Sequence, residues 1–433
     1  MGYQAGLDYL YSLQRFGIKL GLENTARLLE RLGNPQSDLR IIHIAGTNGK
    51  GSTAAALASI LGHAGITVGL YTSPHLHSFT ERIQLNGQPV SESVVACLIE
   101  EIRPVAMELG TTFFEFATAL ALLCFKRHGV QWAVLEVGMG GRLDATNVVL
   151  PELVLVTPVS LDHSEHLGDS LAAVAAEKAG IFKPRIPVLS ARQAQSAQRV
   201  ISGRANELQA PLFCAGEHFH WQANGAGFDY QGPGLSLDGL VSGLRGRHQQ
   251  ENLSLALAAA ELLQQLGVPI SCEAMRRGIA GVRWPGRLEW CRERILLDGA
   301  HNPAGADALG RYLAEEQLQQ VHWVVGIKAD KDYRGIMDPI LPRIGRLYAC
   351  APPVEAAVPP HELVAYAESA GVPAAVFDSP ERALTAARNA AGASESVLVA
   401  GSLFLIADVR EGLLAVDSGQ PQMTAECLTG STR

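Results

Sequence analysis

The chain has 433 residues, 47% hydrophobic and 18% charged, with a formal net charge of -8 at pH 7. That length exceeds one ordinary core and predicts two or three domains. The acidic balance argues against a broad basic surface for nucleic acid, and the greasiest runs, 57 to 70 and 117 to 125, are interrupted or bounded by glycine, histidine or lysine before they reach membrane-spanning length. The N-terminus lacks the basic start and apolar stretch of a secretory signal. The seven cysteines form no C-x-x-C pair and no Cys/His zinc spacing. A cytoplasmic protein without a membrane or nucleic-acid partner is expected, its thiols reduced and mostly buried.

In chain order, β-branched runs at 40 to 45, 67 to 71, 132 to 137 and 153 to 157 alternate with helical patterns at about 50 to 64, 92 to 109, 114 to 128 and 170 to 182. Strands separated by helices predict a parallel sheet covered on both faces. Between His218 and Arg247 short polar strands and many glycines suggest a small antiparallel subsheet, followed by a helix at about 249 to 266. Pro285-Gly286 punctuates the chain, and a fresh β/α alternation begins after it, with strands expected at 294 to 298, 321 to 327, 346 to 350, 374 to 378 and 396 to 400. The fold class expected is α/β: a phosphate-loop parallel sheet with an antiparallel subsheet over 1–283, a linker at 284–287, and a smaller Rossmann-like α/β domain over 288–415. Residues 416–433 read as a disordered tail.

The stretch Gly46-Thr47-Asn48-Gly49-Lys50-Gly51-Ser52 lies between a buried strand and a helix. Backbone N–H groups and the helix dipole converge there on an anion. Gly46 and Gly49 allow tight turning, Lys50 would neutralise β- and γ-phosphates, and Ser52 or Thr53 could reach magnesium. The spacing departs from G-x-x-x-x-G-K-[ST], since Ile44 stands where the first glycine belongs and Gly51 separates Lys50 from Ser52. The plain alternative is a glycine-rich turn with a capping serine.

Further along, Glu136 closes a strand at a sheet's carboxyl edge, where an acid could ligate magnesium or simply cap a loop or join an ion pair. His163 would emerge at the same edge, although magnesium prefers oxygen and a lone histidine is usually structural. Lys178 lies in an apolar helical segment, either snorkelling to the surface or buried with a lowered pKa.

Gly46 to Lys50, with its displaced first glycine, is similar to the phosphate loop of the Mur ligase superfamily, and the extra Gly51 resembles its folate branch, the folylpolyglutamate and dihydrofolate synthases. Matching stretches run in order along the chain: 9 to 23, 71 to 76, 81 to 83, 114 to 118, 136 to 147, 161 to 163, 177 to 181, 284 to 289, 298 to 303 and 330 to 333. The resemblance implies metal ligands at Ser73, Glu136 and His163, and a carbamylated lysine at Lys178. It also implies nucleotide contacts from Asn252 to adenine, from Arg287 to phosphate, and from Asp298 and His301 to ribose and phosphates. Phe114 would stack on a pterin and Asp144 bind its ring nitrogens. Ordinary readings stand beside these: Asn252 as a helix-terminal polar residue, Arg287 as a surface charge, Asp298 as a cap, Phe114 as core and Asp144 as a turn residue.

The implied cofactors are ATP and magnesium at two sites; the implied substrates are dihydropteroate, folates and L-glutamate, handled by a monomer. A carboxylate is a poor acyl donor, so ATP would first convert it to an acyl phosphate that the glutamate amine attacks. Lys50 and the metal would offset charge during phosphoryl transfer, with Lys178 and His163 orienting the acid. Two lobes sharing a nucleotide imply closure that excludes water. A GTPase needs Asn-Lys-x-Asp, and Ile327-Lys328-Ala329-Asp330 lacks the amide that reads guanine. A small-molecule kinase would release ADP without an amine. A peptidoglycan ligase is disfavoured by Gly51 and by the start at Leu20 to Glu23.

Overall fold

The computed structural model describes residues 2–17, 21–225, 227–292 and 294–417. Packing divides the chain into two units, Met1–Trp284 and Pro285–Arg433. In the first unit an eight-stranded sheet has the order Gln88–Pro89, Ile83–Leu85, Val68–Tyr71, Trp132–Glu136, Arg40–Ala45, Leu153–Val156, Val188–Ser190, Leu212–Cys214. The last six strands are mutually parallel, while the first two run antiparallel at one edge. That edge departs from the purely parallel expectation because Asn86-Gly87, with φ of 50° and 78°, permits a tight hairpin that needs no crossover helix.

Alternation along the central strand assigns each side chain to a face. Ile42 and Ile44 pack with the helices Lys50–His63, Arg247–Gln265 and Cys272–Gly281, whereas Ile41 joins the cluster under Glu92–Leu109 and Phe113–Arg127. Both faces are thus covered, which is why these strands read as continuous apolar runs. The glycine-rich stretch forms a three-stranded antiparallel sheet, His220–Asn224, Gly227–Gln231 and Ser236–Leu240. Buried Glu261 on the long helix accepts hydrogen bonds from Tyr230 Oη (2.7 Å) and Gly234 N (2.7 Å), which ties that sheet down.

The second unit is a six-stranded sheet in the order Glu289–Cys291, Ile295–Asp298, Val397–Ala400, Val321–Val325, Ile344–Ala349, Ala374–Val376. All but the first strand are parallel. The last helix, Leu403–Asp417, continues into the stretch expected as tail, and residues 418–433 of that stretch lie outside the described residues. Thiol burial is less general than expected, since Cys97 and Cys272 are exposed and Cys291 is half-buried. Among the described residues no helix is long and apolar enough to cross a membrane.

Candidate active site

Because Arg40–Ala45 lies between Trp132–Glu136 and Leu153–Val156, three chain segments leave the sheet side by side at its carboxyl edge. Val137 N donates to Ile44 O and Thr157 N to Ala45 O, both at 2.9 Å. The loop beginning at Gly46 is lashed to the segment after Thr157. Thr47 N donates to Pro158 O (3.0 Å), and the Thr47 hydroxyl donates to Ser160 O (2.9 Å) and accepts from Ser160 N (3.1 Å). Asn48 Nδ2 donates to Ser160 Oγ at 3.3 Å.

Gly46 and Gly49 adopt φ of 147° and 88°. A Cβ at Gly46 would overlap Thr157 Oγ1, and one at Gly49 would overlap the Asn252 amide, so both positions require glycine twice over. Asn252, buried on the long helix, is thereby brought against the loop, with its Nδ2 donating to Gln249 Oε1 at 3.0 Å. A Cβ at Gly51 would sit 3.0 Å from the Trp284 indole. The inserted glycine therefore lets an aromatic ring pack on the first helical turn.

The helix Lys50–His63 begins at Gly49 with no side-chain cap. Its first-turn N–H groups have no acceptor within the helix and carry the positive end of the dipole, which suits a phosphate. Ser52 and Thr53 are buried on that turn. Lys50 Nζ donates to Gly46 O (3.2 Å) and Thr47 O (3.1 Å), and Lys178 Nζ donates to the same Gly46 O at 2.8 Å. Burial, with the Lys50 charge adding to it, pushes the Lys178 amine down to about 7. The snorkelling alternative does not hold, for Lys178 is only 4% exposed. Its amine is neutral in an appreciable fraction of molecules near neutral pH.

Glu136 is buried at the strand end, and its Oε2 accepts from Ser73 N at 3.1 Å, so the structure brings these two expected ligands together. A carboxylate and a hydroxyl-bearing residue at a sheet edge are hard oxygen donors of the type magnesium takes. His163 stands at φ 51° at the start of the short helix Ser164–Leu167, its ring Nε2 3.9 Å from Asp162 Oδ1. Asp162 in turn acts electrostatically on Lys178. Elsewhere, among the described residues, Cys214, Glu217 and His218 also place possible ligand atoms within 4.8 Å of one another. There His218 Nδ1 already accepts from Cys214 N (3.1 Å) and burial pushes the thiol up, both unfavourable to a metal.

Phe114 is half-buried, with its ring 6.2 Å from that of Tyr71 and its edge against Gly138, where a Cβ would collide with it. Asp144 is buried and caps the turn Ala145–Val148, accepting from Thr146 N (3.0 Å) on Oδ1 and from Met139 N (2.9 Å) on Oδ2. Its burial pushes the carboxyl up, and these donors oppose the shift. Arg82 belongs to the short stretch 81 to 83. Its buried guanidinium packs by the Phe79 and Phe113 rings, and its Nε donates to His75 Nδ1 at 2.7 Å. A desolvated guanidinium of this kind suits a carboxylate.

In the second unit Asp298 ends a strand and is buried, with Oδ2 accepting from Leu288 N (2.9 Å) and Oδ1 from Ala300 N (3.0 Å). Arg287 Nη1 donates to Gly286 O (3.0 Å) and the guanidinium lies against Gly299, leaving no space for a side chain there. His301 Nδ1 is 2.8 Å from Gly299 O. Arg287, Asp298 and His301 thus gather around Gly299. No role was expected for Thr157, Asp162, Arg82 or Trp284; for Asp162, Arg82 and Trp284 the only signal was membership of a matched motif, and for Thr157 its place at a strand end.

A Mur ligase middle domain model matches residues 44–260, and a Mur ligase glutamate ligase domain model matches residues 286–403. The chain is 34% identical over 427 residues to the dihydrofolate synthase/folylpolyglutamate synthase of Bacillus subtilis, covering 95% of this chain and 99% of the relative. Among solved structures it is similar to E. coli FolC in complex with DHPP and ADP (TM-score 0.88, 32% identity, 96% of this chain and 99% of that one). It is similar also to the bifunctional enzyme of Yersinia pestis complexed with AMPPNP and Mn ion (TM-score 0.87, 33% identity, 96% and 98%). The chain belongs to the Mur ligase family, in its dihydrofolate synthase/folylpolyglutamate synthase branch.

Proposed function

We propose that this ATP-dependent ligase adds L-glutamate both to dihydropteroate and to the glutamyl tail of folates, activating the acceptor acid as an acyl phosphate. The observation that carries the chemistry is the convergence of Lys50 and Lys178 on one carbonyl, Gly46 O, at the uncapped start of a helix. Lys50 and the first-turn N–H groups hold the phosphates and stabilise the charge that moves during transfer. The acceptor carboxylate oxygen attacks the terminal phosphorus as ADP leaves. The glutamate amine then attacks the acyl carbon, and phosphate departs as the amide forms.

The neutral Lys178 amine takes up carbon dioxide with loss of one proton and becomes a carbamate anion. Ser52, Ser73, Glu136, His163 and that carbamate would hold magnesium at two sites, supplying charge neutralisation to the phosphates and the acid. Phe114 and Asp144 receive the pterin, and Arg82 binds a substrate carboxylate. Asn252, Arg287, Asp298 and His301 are assigned to the nucleotide. The enzyme acts as a cytoplasmic monomer.

The test offers purified enzyme MgATP and glutamate with dihydropteroate or tetrahydrofolate separately, and weighs the products by mass spectrometry. Each acceptor should gain glutamyl residues, and phosphate release should require glutamate. ADP release with a stable phosphorylated acceptor in the absence of the amine would make the enzyme a kinase instead, and a product from one acceptor only would leave it monofunctional.

A further inference from the structure

His43 lies three residues before the phosphate loop on the central strand, yet faces away from the helix Lys50–His63. It is fully buried, its Nε2 is 2.8 Å from Thr146 Oγ1, and its Nδ1 has no hydrogen-bond partner among the described residues. Thr146 is equally buried, and its hydroxyl donates to Asp144 Oδ1 at 2.5 Å. A ring in such a place is neutral, its pKa pushed down to about 3 by burial first and by Lys183 second. A neutral imidazole carries one N–H. If the proton were on Nδ1, a buried donor would go unpaired and Thr146 would have to turn its hydrogen from Asp144 toward Nε2. With the proton on Nε2, both donors of the chain are satisfied and only an acceptor is left over, the cheaper arrangement. Asp144 also accepts from Met139 N and Thr146 N, as an ionised carboxylate does.

We propose that His43 is a positioning residue for the pterin-binding acid: through Thr146 it holds Asp144 as an oriented hydrogen-bond acceptor, a role that rests on the assignment of Asp144 to the pterin made above. His43 Nε2–H donates to Thr146 Oγ1, and Thr146 Oγ1–H donates to Asp144 Oδ1. With Thr146 N and Oγ1 on Oδ1 and Met139 N on Oδ2, a lone pair of Oδ2 is left for an N–H group of a pterin ring. One strand then ends in the phosphate loop and, three residues earlier, braces the acid that reads the other substrate. Fixing the polarity of the relay also fixes which ligand groups Asp144 accepts, namely donors.

Dihydropteroate and ADP binding are measured by titration calorimetry on the full chain for His43→Leu, Thr146→Val, His43→Gln and Asp144→Asn. Loss of one buried hydrogen bond is expected to weaken dihydropteroate about tenfold in His43→Leu and Thr146→Val, with ADP changed by less than about twofold. His43→Gln keeps an N–H at the place of Nε2 and should recover dihydropteroate affinity to within about threefold of the parent. The relay is overturned if His43→Leu binds dihydropteroate as the parent does, if it loses ADP and dihydropteroate alike, or if glutamine rescues no better than leucine. Full dihydropteroate affinity in Asp144→Asn sinks the assignment of Asp144 itself, and the relay with it. A weakened Asp144→Asn beside an unaffected His43→Leu overturns the relay alone.

Discussion

Each unit contains a strand that ends in a glycine loop and turns into a helix, and the two loops solve the same backbone problem in opposite ways. After Arg40–Ala45 the helix Lys50–His63 starts on a glycine with no side-chain cap. After Ile295–Asp298 the helix Pro303–Glu315 starts on Asn302, whose Oδ1 accepts from Gly305 N at 2.9 Å, with a proline at its first position. The first helix start leaves its N–H donors for an anion; the second satisfies one of them with its own side chain and removes another by proline. Strand-loop-helix topology alone therefore does not leave a helix start open to an anion. The absence of a cap, together with cations aimed at the loop, distinguishes the one from the other.

The sharpest way to break this comparison is to remove the cations. Lys50→Ala should lower ATP-dependent turnover by at least about a hundredfold, because a charge-stabilising donor of the transferring phosphoryl group is lost. Lys178→Ala should fall by a similar factor of about a hundred if its carbamate holds the metal and acid. A steady-state assay in which Lys178→Ala keeps full turnover would refute that role. The modification itself is readable by native mass spectrometry with and without bicarbonate. Its pH dependence has a definite sign: with the amine at about 7, protonation below that pH blocks carbamate formation, so occupancy should rise as pH increases through 7.

A smaller effect is expected from Gly49→Ala. The new Cβ would collide with Asn252 at φ 88°, and the left-handed conformation alone costs about 1–2 kcal/mol. Weakened ATP binding with a lowered melting temperature should appear together, since fold and site share this glycine. The mildest change is Asn302→Ala, which should cost about 1 kcal/mol of stability through the lost cap. If Asn302→Ala instead damaged ATP binding as severely as Lys50→Ala, the two helix starts would not differ in the way described.

Much of this arrangement was legible in advance at the level of elements. The strands 40 to 45 and 153 to 157 and the helix 92 to 109 needed only apolar periodicity and turn residues, because burial on both faces imposes one continuous pattern. The hairpin Ile83–Leu85 and Gln88–Pro89 escaped notice, its strands being too short to show alternation. The strands Val188–Ser190 and Leu212–Cys214 escaped likewise. At the site, Lys50 and Glu136 stood out from their positions after a strand. Lys178 and Asn252 did not, since an apolar helix looks the same whether a lysine on it snorkels or is buried.

By itself the sequence determined the longer strands and helices around the phosphate loop, the two phosphate-loop glycines and the family, because these depend on local propensity, periodicity and motifs that stay adjacent in the chain. Only the tertiary structure decided that Lys178 meets Lys50 on one carbonyl, that Asn252 closes over Gly49, and that His43 reaches Asp144 through Thr146. Those meetings join residues far apart in sequence, and burial then alters their chemistry, lowering an amine pKa or setting the tautomer of a ring. Neither the contact nor its desolvation is written in any local stretch of the chain.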